Sequence, residues 1–244
     1  MAVILSSIGP PVAMLSRAAA LWSATNYSLR IVFKANLTSA YQIIWTFGNN
    51  GSLGSNSWEI GITDTNALYF ATNTSGGIRD TYLVGGLPTT LTNGVWYEAF
   101  FVYAPLPVGA TMWFARAEAM PSTDPLLQIT PYTSPDLYTG SYTGLRFANS
   151  PFGSIYQPQG PICGAIAWTG VSFTQAQCEA NRLSIPPATL TNLYAWWAMA
   201  SSATATVDGS GNSRPLTAQG TIVTAADPIL GGVIPVRRLR PHPR

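Results

Sequence analysis

The sequence predicts an all-β fold, a two-sheet antiparallel β-sandwich with one short helix. Short apolar runs with period-2 alternation dominate the chain, they are rich in β-branched and aromatic residues, and Gly, Asn, Ser and Thr clusters interrupt them at regular spacing. A chain of 244 residues suits one large sandwich, because such folds run to about 200–250 residues as a single domain. At this size folding buries roughly 70–75% of the surface that the unfolded chain exposes, so the core needs no metal or disulfide.

Residues 1–20, MAVILSSIGPPVAMLSRAAA, read as an N-terminal strand or anchor segment ahead of a sandwich over 21–232. As a signal peptide they lack a basic start, and Gly9-Pro10-Pro11 interrupts the apolar stretch. Strands follow at YSLRIVFKA from Tyr27, YQIIWTFG from Tyr41, SWEIGIT from Ser57 and NALYFAT from Asn66. Turn clusters such as Gly48-Asn49-Asn50-Gly51 and Asn73-Thr74-Ser75-Gly76-Gly77 separate them. Further strands are expected at VWYEAFFVY from Val95, ATMWFARAEA from Ala110, GLRFAN from Gly144 and GAIAWTGVSF from Gly164. The helix is TQAQCEANRL from Thr174, with Thr174 as N-cap and Gln177 completing a capping box. Pro186-Pro187 stops it, and LYAWWAMA from Leu193 returns to strand. Between Pro121 and Pro161 the chain is rich in Pro, Tyr, Ser and Gly and reads as a loop excursion.

Only 9% of the residues are charged, against about 25% in ordinary soluble domains. A surface so poor in charge is either covered by partners or built from Ser, Thr, Asn and Gly. The net charge of +2 implies no nucleic-acid partner, and Arg237, Arg238, Arg240 and Arg244 all fall in the last eight residues. Without those four, eight basic residues face ten acidic ones, so the body is slightly acidic. No apolar run approaches the ~20 residues of a membrane-spanning helix. Cys163 and Cys178 are expected as buried free thiols, since no His or Cys cluster accompanies them.

From Thr90 onward the order of motifs resembles the concanavalin A-like (laminin G-like) superfamily found in phage and bacterial surface proteins. Asn93-Gly94-Val95-Trp96-Tyr97 is similar to that superfamily's G-x-W-Y strand opening. Cys163-Gly164-Ala165-Ile166-Ala167-Trp168, followed by Phe173-Thr174-Gln175-Ala176-Gln177, resembles its G-x-I-A strand and following helix. Leu193-Tyr194-Ala195-Trp196-Trp197, then Asp208-Gly209-Ser210-Gly211-Asn212 and Leu216-Thr217, resembles its closing L-x-x-x-W, D-x-S-G-N, L-T pattern. The resemblance covers roughly residues 20 to 230 and implies a two-sheet jelly roll whose loops or concave face often bind glycans, sometimes with calcium. Two departures stand out. The helix carries Gln177 and Cys178-Glu179 where the superfamily usually has an acid after the Ala, and no clustered Asp and Asn set marks a calcium site.

Catalysis is not expected. Retaining glycoside hydrolysis needs two carboxyl groups about 5–5.5 Å apart, and no strand here reads E-x-D-x-x-E. His242, the single histidine, sits near the C-terminus, away from any partner that would orient a triad base. Asp208 in Asp208-Gly209-Ser210-Gly211-Asn212 lacks the later acids of a calcium loop and reads as a tight turn accepting backbone hydrogen bonds, with its glycines at positive φ. No metal and no cofactor is implied.

Aromatic residues are the better lead, since Tyr and Trp stack on sugar rings while their polar tips hydrogen-bond hydroxyls. Trp45, Trp96, Trp113, Trp168, Trp196 and Trp197 lie in strand-like runs and are expected between the sheets. Tyr132, Tyr138, Tyr142 and Tyr156 fall in the loop excursion and are the candidate contacts to glycan or a neighbouring subunit. The Arg- and Pro-rich segment 233–244, with Arg237, Arg238, Arg240 and Arg244, is the candidate anchor to other structural proteins of a larger assembly. The sequence thus points to a non-enzymatic interaction protein at a virion surface, a head decoration or fibre-associated component with a lectin-like adhesion domain. The alternative is a carbohydrate-binding module of a bacterial surface or secreted protein, and a glycoside hydrolase is the remote third.

Overall fold

A computed structural model describes residues 2–4, 14–23, 26–38, 41–48, 57–73, 79–83, 90–104, 109–117, 126–132, 141–147, 160–182, 184, 186–199, 201, 203–219 and 222–225. They form two antiparallel sheets and one short helix. The strands, in chain order, are β1 (Ala2–Ile4), β2 (Met14–Ser23), β3 (Tyr27–Lys34), β4 (Gln42–Gly48), β5 (Ser57–Ile62), β6 (Leu68–Asn73) and β7 (Arg79–Leu83). They continue as β8 (Trp96–Ala104), β9 (Gly109–Arg116), β10 (Leu127–Tyr132), β11 (Ser141–Phe147) and β12 (Pro161–Thr169). Helix α1 (Gln175–Ala180) precedes β13 (Leu193–Trp197), β14 (Thr217–Gln219) and β15 (Val223–Ala225). One sheet runs β10-β9-β8-β3-β12-β1-β15, with β13 also on β12, and the other runs β14-β2-β11-β4-β5-β6-β7. The chain crosses between sheets after β1, β2, β3, β7, β10, β11, β13 and β14, as in a jelly roll.

Strand alternation builds the core. Tyr27, Leu29, Ile31 and Phe33 of β3 and Tyr97, Ala99, Phe101 and Tyr103 of β8 face the second sheet, which contributes Trp45, Trp58, Ile60, Ile62 and Phe70. Phe101 sits at the centre, 5.0 Å from Trp58 and 5.5 Å from Phe70 between ring centroids. Trp45 and Trp197 flank Phe147 at 4.8 and 5.8 Å.

The intervening residues of β3 and β8 are buried as well, because the eight-stranded sheet is covered on its outer face. There Phe100, Val102, Trp113, Ile166 and Trp168 pack with Phe173 and Cys178, and Trp96 packs with Val32, Ala117 and Cys163. This corrects the expectation for the tryptophans. Trp45 and Trp197 lie between the sheets, whereas Trp96, Trp113, Trp168 and the half-buried Trp196 lie on the outer side. Period-2 alternation identifies a buried face without saying which face it is when both are covered.

The predicted strands all form. The excursion is more ordered than expected, since it contains β10 and the whole of β11. β10 carries Pro131 and, among the described residues, pairs with β9 alone, the edge position where proline costs no ladder hydrogen bond. β7, likewise an edge strand, carries Arg79 and Asp80, charges that hid it from an apolar pattern. Residues 1–20 contain β1, which lies between β12 and β15, and most of β2, which lies between β14 and β11.

Replacing Phe101 by Ala should lower unfolding stability in urea by about 3–5 kcal/mol through the cavity it leaves. Thr174→Ala, which removes only a cap, should cost about 1 kcal/mol.

Candidate functional site

The two outer faces of the sandwich differ in what lies on them. On the eight-stranded sheet the helix arrives with the expected cap, where the Thr174 hydroxyl accepts from the Gln177 N–H and the Gln177 side chain accepts from the Thr174 N–H. Beneath it runs a charged network. Glu98 of β8, fully buried, accepts from Arg30 Nε of β3 and from Arg182 Nε at 3.4 Å. Arg30 also donates to the Ser184 carbonyl at 2.7 Å, and Arg182 reaches Glu179 at 3.3 Å and the Arg116 carbonyl at 3.4 Å. Glu179 in turn accepts from the Leu126 N–H at 2.9 Å. These charges are spent on holding the chain to itself.

Among the described residues no helix packs on the seven-stranded sheet. Its outer face carries the residues that alternate with Trp58, Ile60 and Ile62 of β5, namely Glu59 and Gly61. Cross-strand pairing places Arg146 of β11, Thr46 of β4 and Glu59 in one row, and Ile43, Gly61 and Tyr69 in the next. Tyr69 donates to Glu59 Oε1 at 3.3 Å. Its ring lies across Gly61, where a Cβ would collide with it and with the Gln42 carbonyl. Tyr41 meets Tyr69 edge-on at 5.8 Å. Glu59 and Tyr69 are fully buried, whereas Tyr41 and Arg146 are half-buried and form the reachable part of the face. The reachable part offers an aromatic ring with its hydroxyl and a guanidinium, groups suited to a polyhydroxylated ligand.

No family model and no curated protein matches the sequence. Solved structures do match its fold. A candidate carbohydrate-binding protein from Bacteroides ovatus is similar at a TM-score of 0.59 and 14% identity, over 92% of this chain and 60% of that one. A heptameric SAP-like pentraxin from Limulus polyphemus gives 0.57 and 10% identity, over 91% and 92% of the two chains. The chain has a two-sheet jelly-roll fold. Tailspike protein 2 of an Escherichia coli O157:H7 bacteriophage also matches, at 0.57 and 13% identity over 81% of this chain, which spans only 26% of the tailspike.

Within this jelly roll the predicted contact residues are dispersed. Tyr132 ends β10 opposite Ala110, and Tyr142 lies on β11 opposite Trp22, so both stand on strands where a loop was expected. Tyr138, Tyr156, His242 and the arginines Arg237, Arg238, Arg240 and Arg244 lie outside the described residues. Sequence reasoning passed over Tyr41, Tyr69 and Arg146. Each sits inside or beside a strand-like run, and only the strand pairing shows which face it joins.

The Asp208 turn forms as expected. Its carboxylate accepts from the N–H groups of Ser210 and Arg214, both at 2.9 Å, and from Trp196 at 3.3 Å. Gly211 takes φ +82°, while Gly209 serves otherwise, because its missing Cβ leaves room for the Trp196 indole. Arg214 closes the turn over the Tyr194 ring at 3.7 Å.

Glu59 and Glu98 point away from the core on opposite outer faces. Both sheets stand between them, at a face-to-face packing distance of about 10 Å, so they cannot meet at the roughly 5–5.5 Å of a retaining pair.

Cys163 and Cys178 are buried free thiols. Burial pushes the Cys178 thiol from the ordinary 9.0 up to about 12, with the carboxylates of Glu98 and Glu179 adding to the effect. The folded state therefore holds this proton where the unfolded chain has lost it. Its contribution is complete below pH 9 and is lost as pH rises toward 12. In urea titrations the wild type should lose up to about 1.4 kcal/mol per pH unit more than Cys178→Ala over that range.

Proposed function

We propose that this jelly roll is a non-catalytic adhesion domain that binds glycan on the outer face of its seven-stranded sheet. The observation that carries this reading is the placement of Tyr41, Tyr69, Glu59 and Arg146 on the face that no described helix covers. Tyr41 offers a ring for stacking, and its edge-on contact with Tyr69, itself hydrogen-bonded to Glu59, holds that ring in place. Tyr41 and Arg146 lie roughly 15 Å apart along β4 and its partner, a span that fits a short oligosaccharide better than a single sugar. The likeness to a candidate carbohydrate-binding protein supports the reading. The separation of Glu59 from Glu98 supports binding over hydrolysis. Tyr142, four residues before Arg146 on β11, is proposed as a further contact on this face, and Tyr132, Tyr138 and Tyr156 as contacts elsewhere to glycan or to a neighbouring subunit.

A glycan array with the full chain, followed by calorimetry on the best ligand, tests this. Tyr41→Ala and Arg146→Ala should each weaken binding about tenfold or more, while circular dichroism stays that of the wild type. An array without hits, or variants that bind as the wild type does, would rule the face out.

A second reading, compatible with the first, makes the domain a component of a phage or phage-like particle, placed at the virion surface and anchored by Arg237, Arg238, Arg240 and Arg244. It is favoured by the concentration of arginine in segment 237–244 on a slightly acidic body and by the likeness to a phage tailspike. In density gradients of the native source, the full chain should travel with a large particle and a chain truncated after Gly232 should stay light. Two light species would refute the anchor.

A further inference from the structure

We propose that residues 171–182 form a flap that opens as a unit from the outer face of the eight-stranded sheet, with the Arg30–Glu98–Arg182 charges as its latch. The flap is thinly anchored by apolar burial. Phe173 and Cys178 are its buried apolar side chains, while Thr174, Gln175, Ala176, Gln177 and Ala180 are exposed. Its attachment is instead largely polar: the Phe173 N–H donates to the Ser28 hydroxyl, the Ser172 hydroxyl donates to the Tyr103 carbonyl, Glu179 accepts from the Leu126 N–H, and its buried ion pairing meets at one carboxylate. Glu98 of the sheet binds Arg182 of the flap, and Arg30 beside it holds the carbonyl of Ser184, just beyond the flap.

Arg182 is 10% exposed, at the rim of the latch, whereas Arg30 and Glu98 lie deeper, at 2% and 0%. Water can therefore reach the outer arm of the latch first. When Arg182 lets go, Glu98 keeps its pairing with Arg30, so the sheet beneath stays neutralised and folded. Local openings of this kind occur where few apolar contacts hold a segment. Opening uncovers Phe100, Val102, Trp113, Ile166 and Trp168, a contiguous apolar surface.

Cys178 on the helix reports the opening, and Cys163, buried outside the flap, is the internal control. Only the thiolate is alkylated, and Arg182 pairs with Glu98 and Glu179, the two carboxylates that disfavour the Cys178 thiolate, so its removal disfavours the thiolate further. Faster labelling in Arg182→Met therefore reports exposure and cannot arise from altered thiol acidity. Iodoacetamide labelling of the full chain at pH 8, read by peptide mass spectrometry, should modify Cys178 at least tenfold faster in Arg182→Met than in the wild type, with Cys163 unchanged. Labelling of both cysteines in parallel, or Cys178 labelling at the wild-type rate, would overturn the proposal. Hydrogen exchange on the wild type gives a test that needs no variant. The amides of Cys178, Asn181 and Arg182 should exchange at least 100-fold faster than those of β3 and β8, and equal protection across all three regions would likewise overturn it.

Discussion

The register between β3 and β8 is the constraint on which the other features depend. These neighbouring strands pair over eight positions, from Tyr27 with Tyr103 to Lys34 with Trp96. This pairing sends Tyr27, Leu29, Ile31 and Phe33 inward alongside Tyr97, Ala99, Phe101 and Tyr103, and it sends Arg30 and Glu98 outward. A slip of one residue on either strand would drive a charge into the aromatic core and bring a ring to the outer face. Either outcome buries an unpaired ion, which costs far more than any gain from an alternative pairing. The Arg30–Glu98 pair thus works with the aromatic core, since each makes the wrong register of the other expensive.

From this register follows the asymmetry of the sandwich. The outer side of the eight-stranded sheet carries both a large apolar patch and a buried carboxylate, so it needs a cover that supplies apolar side chains and cations together. The segment after β12 supplies Phe173, Cys178 and Arg182 within ten residues. Among the described residues the seven-stranded sheet has a different outer face, where Tyr69 donates to Glu59 and meets Tyr41 edge-on, with Thr46 and Arg146 in the same cross-strand row as Glu59. One face is therefore committed to holding the fold together, and the proposed ligand contacts lie on the other. This division also places Glu59 and Glu98 on opposite sides of the sandwich.

Much of this architecture was legible in the chain. Strands such as YSLRIVFK and WYEAFFVY declare themselves because one face must be apolar whatever packs against it, and the helix declares itself through Thr174 and Gln177, a local hydrogen-bonding pattern. The Asp208 turn was legible for the same reason, since its partners lie within a few residues or on the adjoining strand. Edge strands β7 and β10 were not, because an edge tolerates charge and proline that a central strand excludes.

The sequence by itself determined the fold class, the position of the helix and the absence of an E-x-D-x-x-E strand, all of which rest on interactions between residues close in the chain. Which tryptophans lie between the sheets, that Arg30, Glu98 and Arg182 meet, and that Tyr41, Tyr69, Glu59 and Arg146 share a face were decided only by tertiary structure. Those groupings join residues 68 positions apart in one case and 84 in another. Local periodicity specifies that a side chain points to one face or the other, and only the order of strands in the sheets specifies what it meets there.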